Sequence, residues 1–289
     1  MLIITVRSGQ LCNRLVQFAH LIAFCKHRNL KVMNLAFAEY AQYFSSTGER
    51  LFISFPPSRF RLRNRLVRTS LQRVFHILGF FAGRLMSKFR GVALVRFDNE
   101  GATAESVARL ESALRNRLVF VEGWYFRDPI DFSRYADYIR HYFQPKERFV
   151  KASHEIMRKI RNNSDVVVGL HIRRGDYKCF QGGKFYFDDQ VYVRIIQDLI
   201  GQFPGKRVKV FVASNEPLQL QNYVSVSESI VWEIREPIVD LYTLALCDYI
   251  VGPPSTFSAW ASFYGKVPLL PVETPEGPID LQKASPCHQ

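Results

Sequence analysis

The chain has 289 residues, 47% of them hydrophobic and 14% aromatic, which excludes a disordered or fibrous protein and gives room for two domains of about 150 residues. A formal net charge of +13 calls for an anionic partner: nucleic acid, a membrane surface or a phosphorylated substrate. Five scattered cysteines (Cys12, Cys25, Cys179, Cys247, Cys287) form no CxxC pair and the histidines fall at no ligand spacing, so free thiols in a reducing compartment are expected and a metal is not.

Residues 2–6, Leu-Ile-Ile-Thr-Val, read as a first strand rather than a signal peptide, and no apolar run is long enough to span a bilayer. A cytoplasmic location is expected, with the inner membrane face as a place of attachment. The strand runs into Arg7-Ser8-Gly9-Gln10-Leu11-Cys12-Asn13-Arg14, after which Leu15, Phe18, Ala19 and Ile22 recur at helical spacing. A strand, a glycine turn and a helix start gather backbone N–H groups at one point, where a phosphate can sit; a plain strand-to-helix connection has the same pattern. Residues 30–35 read as a second strand, so strand and helix alternate as in a doubly wound sheet.

Residues 59–90 break the rhythm. Arg59, Arg61, Arg63, Arg65, Arg68, Arg73, Arg84, Lys88 and Arg90 occur there without one Asp or Glu, interleaved with apolar side chains. A basic, apolar, helical stretch suits an anionic membrane surface; it equally suits a helix packed on its own domain with a solvated basic face. Nucleic acid ranks last, because the aromatics match no binding motif. Strands are expected at residues 91–97 and 118–124 around a helix at 105–115, followed by an aromatic loop, Gly123 to Pro129, that either lines a cleft or lids the core. Helical pattern continues over residues 132–162 with Pro145 as an interruption. The domain boundary is placed there, giving domains 1–150 and 151–289.

The centre of the second half is Val166-Val167-Val168-Gly169-Leu170-His171-Ile172-Arg173-Arg174-Gly175-Asp176-Tyr177. Its apolar, β-branched run reads as a buried strand that ends in an imidazole, two guanidiniums and a carboxylate. Ligands of open α/β sheets bind beyond the carboxyl ends of the strands, and paired arginines there suit phosphate oxygens; the alternative is a solvated turn. A loop at residues 178–184, a helix at 188–201, strands at 208–215 and 230–234, a helix at 240–246 and a strand at 248–252 follow. Ser255, Thr256 and Ser258 then open a last helix, as caps or as a diphosphate cradle.

Three of these segments resemble one family. His171-Ile172-Arg173-Arg174-Gly175-Asp176-Tyr177 is similar to the HxRRGDY motif of the α-1,2-fucosyltransferases, glycosyltransferase family 11, within the superfamily of GDP-fucose-dependent transferases. Residues 8–14 resemble that family's first loop, and Ser255-Thr256-Phe257-Ser258-Ala259-Trp260 its STFSWW-like segment, with Asp240 and Asp248 upstream. The chain departs from the pattern at Cys12, Arg14 and Ala259 and in the insert at 59–90.

The resemblance implies an α/β, GT-B-like fold: two Rossmann-like domains facing across a cleft, the first on the acceptor side and the second holding the nucleotide sugar. It implies a metal-independent enzyme that moves fucose from GDP-fucose to a glycan hydroxyl with inversion, the acceptor being a glycan or lipid-linked glycan. Arg173 would grip the diphosphate and stabilise the departing GDP, with Arg174 nearby and His171 fixing the loop or touching the nucleotide. Ser255, Thr256 and Phe257 would close around phosphates and fucose, and Gly9 and Asn13 would contact the donor from the other domain. Asp240 is a candidate for guanine or ribose recognition. Asp176 is the motif's candidate base, or else a turn carboxylate that orients an arginine. Two other readings stay open: a GT-B transferase that uses another nucleotide sugar, and a non-catalytic basic protein that binds a membrane or nucleic acid.

Overall fold

The computed structural model describes residues 1–98 and 103–287. The chain divides into two compact units, one of Met1–Lys146 and one that begins at Glu147.

In the first unit, β1 (Leu2–Ile4) leads into α1 (Leu11–His27), whose side chains are buried nearly all round. After β2 (Val32–Asn34) and β3 (Ser54–Phe55) come α2 (Arg65–Met86), β4 (Val92–Phe97), α3 (Thr103–Ala113), β5 (Leu118–Gly123), α4 (Pro129–Arg134) and α5 (Ala136–Tyr142). The sheet order is β3-β2-β1-β5-β4, parallel throughout except for β3, and Leu2 pairs with Val32 on one side and Val119 on the other. The second strand stops sooner than residue 35 because the Asn34 side chain accepts a hydrogen bond from the Ala36 amide at 3.0 Å, which turns the chain. In the aromatic loop Phe126 is fully buried, so this ring lids the core.

Helix α2 is amphipathic in the reverse sense for a globular domain. Its inward side carries Arg68, Gln72 and Gly83, which are buried, while Leu66, Ile77, Leu78, Phe81 and Leu85 are 78, 55, 59, 64 and 67% exposed. Small residues make the approach possible: a Cβ on Gly79 would lie 2.4 Å from Leu35, and one on Gly83 3.0 Å from the Phe120 ring. Packing on its own domain therefore uses polar and small groups together with Phe75, whose ring lies 5.4 Å from that of Phe52, while a row of apolar side chains is left in solvent.

The second unit opens with α6 (Glu147–Arg161), so the helical pattern expected over 132–162 is interrupted around Pro145, as expected, and also at Tyr135, which makes three helices. Its sheet is built from β6 (Val166–Ile172), β7 (Val208–Ser214), β8 (Ile230–Val231), β9 (Tyr249–Gly252), β10 (Pro268–Pro271) and β11 (Ser285–Pro286), in the order β11-β10-β9-β6-β7-β8. Only β11 is antiparallel. Helices α7 (Asp189–Gly201), α8 (Pro237–Leu244) and α9 (Thr256–Gly265) complete it; α8 starts three residues before the expected helix because Pro237 sits in its first turn. The expected strand at 230–234 is only two residues long. All seven residues of β6 are buried, as a strand hydrogen-bonded on both sides and covered on both faces requires. Each unit is thus a parallel-rich α/β layer structure, as the Rossmann-like expectation required.

Leu170 lies fully buried in the cluster that also contains Val168, Val210, Val212 and Ile196. Leu170→Ala should lower stability in urea unfolding by about 2–5 kcal/mol, whereas Val224→Ser, at an exposed site, should change it by no more than about 0.5 kcal/mol.

Candidate active site

Strand β6 is flanked by β9, so the chain leaving β9 into α9 passes beside the end of β6. That passage is tight. Gly252 has φ +156°, and a Cβ there would lie 2.5 Å from the His171 carbonyl oxygen, so glycine lets the two backbones meet. The first turn of α9 then docks on the motif: His171 Nδ1 and the Ser258 hydroxyl are 2.8 Å apart, and the Phe257 ring stacks on the imidazole at 5.0 Å between centroids. Tyr177 OH donates to the Pro254 carbonyl at 2.7 Å. Burial, with the Arg173 charge adding to it, lowers the His171 pKa to about 3, so the imidazole is neutral and acts as a strut.

Arg173 leaves the strand next. Its Nη2 lies 2.7 Å from Asp176 Oδ1, and its guanidinium lies 5.3 Å from the centre of the Tyr177 ring. The arginine side chain is 14% exposed and the Asp176 side chain 58%, so the carboxylate braces a largely enclosed cation from the solvent side. Ser255 caps α9 by accepting from the Phe257 amide at 3.2 Å. A cation and a helix N-terminus, which carries unsatisfied N–H groups and the positive end of the dipole, are suited to a phosphate.

The structure gathers His171, Arg173, Asp176, Ser255, Thr256 and Phe257 at this end of the sheet. It does not bring Arg174 with them. That guanidinium turns to an ion pair with Asp189 at the start of α7 and donates to the Phe187 carbonyl at 3.3 Å. Asp189 also accepts from Tyr223 OH at 2.7 Å; although burial opposes it, hydrogen bonds from Asn222, Tyr223 and Arg174 hold its carboxyl below the usual range. Asn215, at the end of β7, fixes the Arg174 backbone by accepting from its amide at 2.8 Å and donating to its carbonyl at 3.2 Å. Asp240, in the first turn of α8, faces Arg235 at 3.3 Å, and both are nearly enclosed. Burial pushes Asp240 up to about 6 against the pull of Arg235. Arg235, Asn215 and Asp189 were given no site role by the sequence, and Ser258 was expected only among the helix-opening hydroxyls, as a cap or part of a diphosphate cradle, not as the partner of His171.

Gly9 and Asn13 are neighbours in the first unit. Gly9 has φ +64°, and a Cβ there would lie 2.1 Å from the Asn13 side-chain nitrogen. Arg14 holds this turn, donating to the Gly9 and Ala36 carbonyls at 3.1 Å and pairing with Glu39 at 2.9 Å. Among the described residues no cluster of three His, Cys, Asp or Glu side chains could hold a metal ion, and no helix is long and apolar enough to cross a membrane.

The sequence model of glycosyl transferase family 11 matches residues 116–268, just over half of the chain. A search of curated protein sequences finds no match. Among solved structures, a mutant of Arabidopsis thaliana FUT1 in complex with GDP is similar at a TM-score of 0.62 and 11% identity, covering 98% of this chain and 73% of that one. NodZ α-1,6-fucosyltransferase soaked with GDP-fucose gives 0.55 and 11%, covering 94% of each chain. POFUT1 in complex with GDP gives 0.51 and 13%, covering 91% of this chain and 93% of that one. At these identities the likeness is one of fold, a GT-B-like fold with two α/β units in one chain.

An unfolded histidine takes up a proton near pH 6.5, while folded His171 stays neutral down to about pH 3, so falling pH favours the unfolded chain across that window. The urea midpoint should therefore drop between pH 7 and pH 5, and His171→Gln should drop less over the same interval.

Proposed function

The chain belongs to glycosyl transferase family 11 and is a glycosyltransferase, and on that premise we propose that it moves fucose from GDP-fucose to a glycan hydroxyl, α-1,2-linked, with inversion at the anomeric carbon. The observation that carries the donor half is the His171–Ser258 bond, which ties the end of the strand that bears Arg173 to the first turn of α9. Breaking a sugar–phosphate bond through an oxocarbenium-like state leaves negative charge growing on the diphosphate. Fixed cations and N–H dipoles then favour the transition state more than the ground state. In this reading Arg173 is the catalytic residue. Ser255 and Thr256 bind the phosphates, and Phe257 covers the sugar. Asp240 recognises the base or ribose from its pairing with Arg235.

The acceptor hydroxyl attacks the face opposite GDP, which inverts the centre in one displacement. Asp176 is assigned a positioning role rather than that of base, because its carboxylate is taken up in holding Arg173. Arg174 likewise acts through the Asp189 network, by fixing the turn, rather than on the phosphates. Domain roles follow the same division: residues 151–289 hold the donor, and residues 1–150 serve the acceptor side.

The first unit supports attachment to an anionic bilayer. Residues 59–90 carry no acidic residue, and α2 turns its apolar side chains outward, a combination that matches a lipid interface with phosphates around it.

A thermal-shift screen against GDP, UDP, ADP and CMP sugars should show stabilisation by the guanine nucleotides alone. Arg173→Ala should weaken GDP binding by about 10- to 100-fold, the weight of a charge-assisted contact; a UDP- or CMP-selective shift would point to another nucleotide sugar. Asp176→Asn should lower kcat yet keep the acidic limb of the pH–rate profile, whereas loss of that limb would make Asp176 the base. Ile77→Glu combined with Phe81→Glu should release the protein from phosphatidylglycerol-containing vesicles with GDP binding intact; undiminished sedimentation of this variant with vesicles would contradict membrane docking.

A further inference from the structure

We propose that the first unit holds a subsite for a phosphate ester carried on a hydrocarbon chain, and that this subsite takes the phosphate of a lipid-linked acceptor. The proposal rests on the glycosyl-transfer reading above and names its acceptor class. A cavity of about 470 Å3 opens between Arg7, the turn at residues 38–42 and the first turns of α2. Four arginines line it: Arg7, Arg65, Arg68 and Arg73. Arg68 is engaged, 5% exposed, with Nη1 donating to the Leu62 carbonyl at 2.6 Å. Glu39, the cavity's carboxylate, is engaged as well, by Arg14. Arg7, Arg65 and Arg73 are exposed and have no carboxylate partner among the described residues. Three guanidiniums around one concavity whose carboxylate is already paired with Arg14 keep a positive potential, and their planar forks match phosphate oxygens.

The apolar surroundings decide which phosphate compound fits. Leu66 forms part of the cavity wall and is the most exposed apolar residue of α2. Val74, Ile77 and Phe81 continue from it along the same side of the helix, at positions eight, eleven and fifteen residues on, all exposed. A phosphate seated among the arginines would thus have a hydrocarbon track beside it. A carboxylated sugar would use the arginines and leave the track empty; an inorganic phosphate would do the same. An isoprenyl or alkyl phosphate uses both.

The full chain, saturated with GDP so that the donor site is blocked, is titrated calorimetrically with farnesyl diphosphate, inorganic diphosphate and glucuronic acid. Farnesyl diphosphate is expected to bind at least about tenfold more tightly than inorganic diphosphate, from the apolar area it buries, and glucuronic acid to give no measurable heat. Arg65→Ala with Arg73→Ala should weaken both diphosphates by about tenfold or more, and Ile77→Ser with Phe81→Ser should weaken only the farnesyl compound. Arg173→Ala, with GDP raised far enough to keep its donor site filled, should leave farnesyl diphosphate binding unchanged. GDP affinity is read in its own titration, so failure of the donor assignment and failure of this subsite are seen separately. Equal binding of all three probes, or binding indifferent to Arg65 and Arg73, would overturn the proposal. So would arginine-dependent binding to phosphatidylglycerol vesicles without any to farnesyl diphosphate, which would assign the cavity to membrane headgroups.

Discussion

The bond between the buried His171 imidazole and the Ser258 hydroxyl is what the proposed donor site depends on. It joins the end of the central strand to the first turn of α9, and Tyr177 makes a second tie from the same loop to the Pro254 carbonyl. Between these ties stands Arg173. Burial keeps the imidazole uncharged, so no second cation competes with Arg173 for the same space, and the ring can stack flat on Phe257. A guanidinium braced by Asp176 and a helix N-terminus tied to the same strand end need little rearrangement when charge develops on a leaving phosphate, which is where electrostatic catalysis gains its advantage over water. The neighbouring Arg174 shows the contrast. One residue further along, its guanidinium is drawn into a network with Asp189, Tyr223 and Asn222 that stiffens the turn.

The first unit is organised by a different constraint, the reversed polarity of α2. Folding normally turns the apolar side of a helix inward, and contiguous apolar surface on a soluble protein usually marks an interaction site. Here Gln72 donates from the inner side to the Arg50 and Leu51 carbonyls, and glycines bring the helix against Leu35 and Phe120. The outward row of Val74, Ile77, Phe81 and Leu85 has no role in that packing. Basic side chains around an apolar row, next to an arginine-lined cavity, form one continuous surface for amphiphilic phosphates.

Much of this was legible in the amino-acid order, and the gaps have physical causes. Strand β6 was plain because an uninterrupted β-branched run admits few other readings, and its position in the middle of a parallel sheet explains why no polar alternation interrupts it. The three motif segments named the fold class and the family, and the structure gathered two of them into one cluster. The partner of Arg174 was hidden, since Asp189 lies in a separate element and is brought near only by the turn between. Arg235 was hidden for another reason: it lies just past the expected strand at 230–234 and beside Glu236, where a charged residue normally faces solvent, yet it is enclosed against Phe211 and Asp240. Two-residue strands such as β3 and β11 leave no periodic trace. For α2 the amphipathic spacing was clear, but which side faced the core depended on glycines at 79 and 83, whose value is the space they leave on a neighbouring strand.

The central claim is that Arg173 recognises the diphosphate and not the nucleoside, and the ratio of GDP to guanosine affinity measures this most directly. The account predicts that the unaltered protein favours GDP by about 100-fold or more, as several charge-assisted contacts would give, and that Arg173→Gln collapses this ratio while guanosine affinity holds. A ratio that survives the substitution, or a loss shared equally by guanosine and GDP, would contradict it.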